Sequence, residues 1–230
     1  MRPTLSAFIT LISLGRGAKR RMDYLSRLSE IIDLSYKLLC NKVWGGDISI
    51  INEATMQLQF GLIIKNVGKQ FEFSKDDRFD ILLETPQDIE STIKTPNGQA
   101  RCDIKLHFYR KSSLKSTVYI ELKFFKQAIN QAVTDNRFSV YKDLLNLEQY
   151  LKSSKNSVAY EIVCTNNPNY SNPNTISKIN IGNNVVSKKE IEYGNKVIRL
   201  NSIYTFIWDM EKSSEFEFLK IQIGKNQTDK

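Results

Sequence analysis

Two stretches of the chain alternate apolar and polar residues with the period of two that a β-strand imposes. From 102 to 109 the apolar set is Cys102, Ile104, Leu106 and Phe108, with Asp103, Lys105, His107 and Tyr109 opposite. From 118 to 125 it is Val118, Ile120, Leu122 and Phe124, with Tyr119, Glu121, Lys123 and Phe125 opposite. Between them, 110–116 is polar and basic, the composition of a hairpin loop. A loop centred near Ser112 or Ser113 sets Asp103 across from Glu121 or from Lys123. Cβ atoms of such neighbours lie about 4.5–5.5 Å apart when directly opposed and about 7–8 Å apart on the diagonal.

Elsewhere the period is helical. Tyr24, Leu25, Leu28, Ile31, Ile32, Leu34, Ser35 and Leu38 form a broad stripe within the first forty residues, and Trp44-Gly45-Gly46 ends the pattern. A helix follows over 51–60, capped by Asn52 or Asp47, and another starts near Asp135 with Val140, Leu144, Leu147 and Leu151 in phase. The apolar run 158–164 reads as a buried strand, and 166–174 as an asparagine-rich loop. Strands over 203–208 and 216–223 are expected to extend the sheet, before a structureless tail at 225–230.

The hairpin places chemistry on one face. Two carboxylates at cross-strand distance, Asp103 and Glu121, suit a hard divalent cation such as Mg²⁺ or Mn²⁺, which prefers oxygen ligands and keeps water and substrate phosphate in its shell. Such a metal polarises a phosphoryl oxygen and lowers the pKa of a bound water. Lys123, two residues beyond Glu121 on the same face, is placed to orient that water or to neutralise charge developing on the phosphate.

The ordered set Asp103, Glu121-x-Lys123 resembles the motif of the PD-(D/E)xK superfamily, the restriction-endonuclease-like nucleases. Cys102 stands where the motif's name has proline, a position commonly substituted in that superfamily. The resemblance spans roughly 48–165 and implies a preceding helix bearing a glutamate, for which Glu53 is the match, a mixed sheet, and a helix after the Glu-x-Lys strand. It implies an α/β core of mixed strands flanked by helices, with residues 1–46 a helical N-terminal extension, 47–165 the catalytic core and 166–230 the loop and C-terminal strands of one domain. It further implies Asp103, Glu121 and Glu53 as metal ligands, Lys123 as the residue positioning hydroxide, and hydrolysis of DNA to a 5′-phosphate and a 3′-hydroxyl. By analogy the subclass is a restriction or phage-defence endonuclease, dimeric if both strands of a palindrome are cut.

Charge agrees with a polyanionic partner: the 230 residues carry a net +8. The basic clusters are 16–21, Lys188-Lys189, and Arg110-Lys111 with Lys115; the last shares a hairpin with the acids, and with Lys105 and Lys126 it makes the expected nucleic-acid contacts. His107, the single histidine, reads as structural or as a phosphate contact, since metal-dependent hydrolysis does not need it. Asp77, Asp80 and Glu84 read as a solvated strand edge. Cys40, Cys102 and Cys164 lack zinc-site spacing and read as reduced, buried thiols of a cytoplasmic protein. The apolar run 5–14 has one preceding arginine and no small-residue cleavage site, which argues against a signal peptide, and no segment is long enough to span a membrane. Two other readings stay open: a non-catalytic DNA-binding or assembly protein on the same fold, and an RNA-processing nuclease.

Overall fold

The computed structural model describes residues 23–87, 100–127, 133–174 and 177–224. The readings of 1–22, with its basic cluster, and of the 225–230 tail lie outside them. Two helices come first: α1 (Tyr24–Trp44) and α2 (Glu53–Lys69). Asp23 caps α1 by accepting from the Ser26 N–H at 2.9 Å, and Asn52 caps α2 by accepting from the Thr55 N–H at 2.8 Å. Strands β1 (Asp77–Gln87), β2 (Ala100–Arg110) and β3 (Ser113–Phe125) follow, then α3 (Val133–Ser153) and β4 (Ser157–Thr165). The remainder is short strands: β5 (Val185–Val186), β6 (Glu190–Tyr193), β7 (Lys196–Arg199), β8 (Thr205–Phe206), β9 (Trp208–Met210) and β10 (Glu217–Ile223).

The fold is α/β, with a mixed six-stranded sheet in the order β1-β2-β3-β4-β10-β9. β1, β2 and β3 form an antiparallel meander, and α3 is the crossover that brings β4 parallel to β3. β10 extends the sheet beyond β4 as the C-terminal alternation predicts, and β9 follows it as the edge. The 203–208 run does not behave as one strand: Thr205 and Phe206 pair with β5 in a separate two-stranded sheet.

Each face of the sheet is covered differently. Leu28, Ile31, Ile32, Leu39 and Phe60 of α1 and α2 pack on Ile104, Leu106, Phe108, Val118, Ile120, Leu122 and Ile162. On the other face, Val140, Leu144 and Leu147 of α3 join Ala159, Val163, Leu219 and the C-terminal Tyr204 and Phe206. β4 is buried along its whole length, as a strand covered on both faces must be. At Gly68 a Cβ would come within 2.2 Å of the Phe79 ring, so the glycine lets α2 close onto β1.

The α1 stripe contains a buried cation. Arg27 donates to Asp77 Oδ2 at 2.8 Å and lies over the rings of Tyr24, Phe73 and Phe108, 4.7 to 5.5 Å from their centroids. Asp77 is therefore a buried partner and not part of a solvated edge. Asp80 pairs with Arg78 at 3.0 Å on the exposed side of β1, and Glu84 accepts from Gln57 at 2.8 Å.

Candidate active site

Asp103, Glu121 and Lys123 meet where β2 and β3 part. The ladder between these strands runs from Arg110↔Ser113 to Ile104↔Ile120 and stops, while β2 goes on pairing with β1 as far as Ala100. The sequence expectation of a loop centre near Ser112 is close, but the loop is shorter than 110–116: Lys111 and Ser112 alone turn the chain, with Lys111 at φ 51°. A register shift between Phe108 and Tyr109 absorbs the difference. The facial phase also slips at the site. Cys102 packs into the core beneath α3 and Ile104 into the core beneath α1 and α2, opposite a left-handed Glu84 at φ 49°.

Beyond Ile120, β3 has amides facing away from β4 and no longer paired with β2. Side-chain carboxylates take them. Asp103 Oδ2 accepts from the Leu122 N–H at 2.7 Å, and the Glu53 carboxyl accepts from the Phe124 N–H. Glu53 reaches the strand because it is the first residue of α2, just inside the Asn52 cap. One turn later Gln57 donates to the Asp103 carbonyl oxygen at 2.9 Å, tying the helix to β2. All four residues expected to form the site, Glu53, Asp103, Glu121 and Lys123, are thus at one place.

Two further acids complete the cluster, and neither was singled out from the sequence. Asp143 of α3 lies with Oδ2 at 2.9 Å from Lys123 Nζ, against 3.9 Å for Glu53 Oε2. Glu161 is the β4 residue in register with Glu121, wholly buried, and both its carboxyl oxygens lack a hydrogen-bond partner among the described residues. Glu121 is also buried, with Tyr150 Oη of α3 donating to Oε1 at 3.0 Å. A signal for Glu161 does exist: it is the one charged residue in the apolar run 158–164. Asp143 carries no such mark, being one of several polar residues on an amphipathic helix.

Five carboxyls surround one ammonium, with Glu121, Asp143 and Glu161 buried, Asp103 partly buried and Glu53 half-exposed, and buried acids without compensating charge are disfavoured as carboxylates. Burial pushes the Glu121 and Glu161 carboxyls well above the carboxylate range, and each is raised further by Asp143. Burial likewise lifts Asp103 to about 6, against the opposing pull of Lys123 and the Leu122 N–H. Burial disfavours the Lys123 charge, but Asp143 and the other acids outweigh it and hold the ammonium well above its usual range.

An all-oxygen donor set with orphaned buried oxygens fits a hard divalent cation, which supplies the compensating charge that one lysine does not. In the arrangement described here the acids are spread around Lys123: among the described residues no three His, Cys, Asp or Glu groups converge as a ready-made metal cage. The charge imbalance has a thermodynamic consequence. A carboxyl whose folded pKa exceeds its unfolded value of about 3.9 binds more protons when folded, so stability falls as pH rises through that window. Metal-free protein is expected to melt at lower temperature as pH climbs from about 4 through Asp103's value near 6, with His107, whose pKa burial lowers, the one opposing group at the hairpin. Mg²⁺ should raise the melting temperature more at pH 7.5 than at pH 5, and an equal response at both would refute the account.

The basic residues divide. Lys105 lies two residues from Asp103 on the meander, with Nζ 5.0 Å from the centroid of the Tyr119 ring, and Lys126 is exposed just past the end of β3 on the site side. Arg110, Lys111 and Lys115 surround the hairpin tip at the far end. Arg110 lies seven positions from Asp103, about 23 Å along a strand rising ~3.3 Å per residue. Sharing a hairpin with the acids therefore does not put them in the site. His107 is half-buried, its Nδ1 3.1 Å from Thr117 Oγ1, in keeping with a structural role. The three cysteines are free and buried as expected, and no described helix is long and apolar enough to cross a membrane. In comparisons with known proteins, no family model, no curated protein and no solved structure matches the chain.

Proposed function

We propose that the chain is a metal-dependent endodeoxyribonuclease of restriction-endonuclease-like type, acting in restriction or phage defence. One observation carries the reading: residues 70 positions apart at their extremes, Glu53 and Lys123, are brought with Asp103 and Glu121 to the single point where β2 and β3 diverge. The helix that carries Glu53, the mixed sheet and the helix after the Glu-x-Lys strand also accord with what the resemblance implies.

Asp103 and Glu121 would hold Mg²⁺ or Mn²⁺, with Glu53 joining them directly or through water. When bound, the ion supplies Lewis-acid polarisation of the scissile phosphate and an acidified water. Lys123 holds a positive charge beside the reacting phosphate, where it offsets charge as the P–O bond breaks. Tyr150 fixes the Glu121 rotamer through its hydroxyl, and Gln57 fixes the backbone of Asp103. Lys105 and Lys126 lie nearest to contact the flanking phosphates, and their contribution is sequence-independent and salt-sensitive. The tip residues Arg110, Lys111 and Lys115 can reach only DNA extending some 20 Å or more from the cut. Location in the cytoplasm and action as a homodimer belong to this proposal.

Purified protein is expected to nick or linearise supercoiled plasmid with Mg²⁺ and to leave it intact with excess chelator. Cutting that persists in chelator would overturn the metal mechanism. Salt-sensitive binding without scission, at any divalent ion, would instead favour a non-catalytic DNA-binding protein, and preferential cutting of RNA in competition would move the substrate class.

A further inference from the structure

Asp143 and Glu161 stand outside the hairpin that carries the motif, on α3 and β4. Both are buried, and burial of an acid without a full set of partners is unfavourable. Asp143 Oδ2 has the Lys123 ammonium 2.9 Å away but accepts no well-aligned hydrogen bond, and Glu161 accepts none among the described residues. An apolar side chain would suit the β4 position better, since its neighbours on that strand face are Ala159 and Val163.

Lys123 explains the arrangement. Its four-carbon stem has large rotamer freedom, and an open route leads toward Glu53, whose side chain is 46% exposed. The ammonium instead lies against Asp143 and donates to the Leu122 carbonyl oxygen at 3.1 Å. Glu161 makes no ion pair with it; it sits on the adjoining strand in register with Glu121, two residues from Lys123, wholly buried and with both carboxyl oxygens unpartnered among the described residues.

We propose that Asp143 and Glu161 are positioning residues: Asp143, on the crossover helix, holds the Lys123 ammonium in the site by direct contact, and the buried Glu161, on the parallel strand beside Glu121, supports that placement from beyond ion-pair distance. The role in hydrolysis rests on the nuclease reading above, whereas the holding of the lysine does not. Neither residue need touch the substrate. A group retained against its own burial cost gives a recognisable signature, a gain in stability with a loss of turnover when it is removed.

The test uses the full chain. Glu161→Met is expected to melt at or above the wild-type temperature in chelator, while kcat for plasmid cutting falls roughly 100-fold and KM stays within about twofold. Asp143→Asn should lose turnover similarly, and Asp143→Glu should recover part of it. If Glu161→Met does not fold, Glu161→Gln serves in its place. A lower melting temperature with unchanged kcat would make Glu161 a structural residue and overturn the proposal. A melting cycle of Lys123→Met against Asp143→Asn needs no catalysis: the double variant is expected to melt above Lys123→Met alone, because the acid left without its cation is neutralised. Additive effects overturn the positioning proposal, and absence of cutting by wild type with a coupled cycle overturns the nuclease reading alone.

Discussion

Glu121→Gln and Lys123→Met are each expected to lower Mg²⁺-dependent cutting by at least roughly 10²–10³-fold, the loss typical of removing one group aimed at developing charge. Glu121→Gln is the cleaner of the two. Burial and the neighbouring acids already favour the protonated form of Glu121 when no metal is present. Glutamine copies the size of that form and can still accept from Tyr150, so the metal-free fold should be kept. What it lacks is the negative charge that a hard cation requires of its ligand. Lys123→Met keeps the stem and removes the ammonium, leaving Asp143 without its cation, so some loss of stability accompanies the loss of cutting. Plasmid cleavage followed on gels, with circular dichroism to verify folding, checks both. Wild-type rates in either variant, with the fold intact, would remove that residue from the chemistry.

Asp77→Ala is expected to destabilise the chain by about 3–5 kcal/mol, the cost of leaving one charge of a buried pair alone. Among the described residues Arg27 has no other carboxylate partner: its remaining neighbours are the Phe71 carbonyl oxygen at 3.5 Å and three aromatic rings. With 4% and 2% of their side chains exposed, neither ion can turn out to water. Replacing both, as Arg27→Met with Asp77→Leu, should return most of the loss, because an apolar pair of similar volume often does as well as a buried ion pair. Urea denaturation of the two proteins measures the difference. A single variant within about 1 kcal/mol of wild type would show that the site is wetter than its burial indicates.

Much of the site was legible because strands and caps are local codes. The alternation over β3 put Glu121 and Lys123 on one face, Asn52 marked the start of α2 and so the place of Glu53, and the loop composition put Asp103 near Glu121. Features set by non-local partners were not legible. Asp77 looks like any edge acid until α1 lays Arg27 against it, and Cys102 keeps phase with Ile104 in sequence although the strand slips at Asp103. The basic hairpin tip seemed close to the acids because sequence distance across a turn is short, yet the strands carry it to the opposite end of the sheet. Asp143 and Glu161 reach the site only through a crossover connection, whose docking no local pattern encodes.

That connection bears on the order of folding. The β1–β2–β3 meander joins neighbours in sequence, whereas β4 must wait for the chain 126–156 to close behind it before pairing with β3. The acids from α2, β2, β3, α3 and β4 therefore crowd together only as the last layer docks. Repulsion that arises only in that arrangement is expected to show as faster unfolding with the folding rate hardly changed, read from the two arms of a chevron plot. An ion that relieves the repulsion is expected to act as a kinetic brake, lengthening the lifetime of the folded chain without hastening its formation.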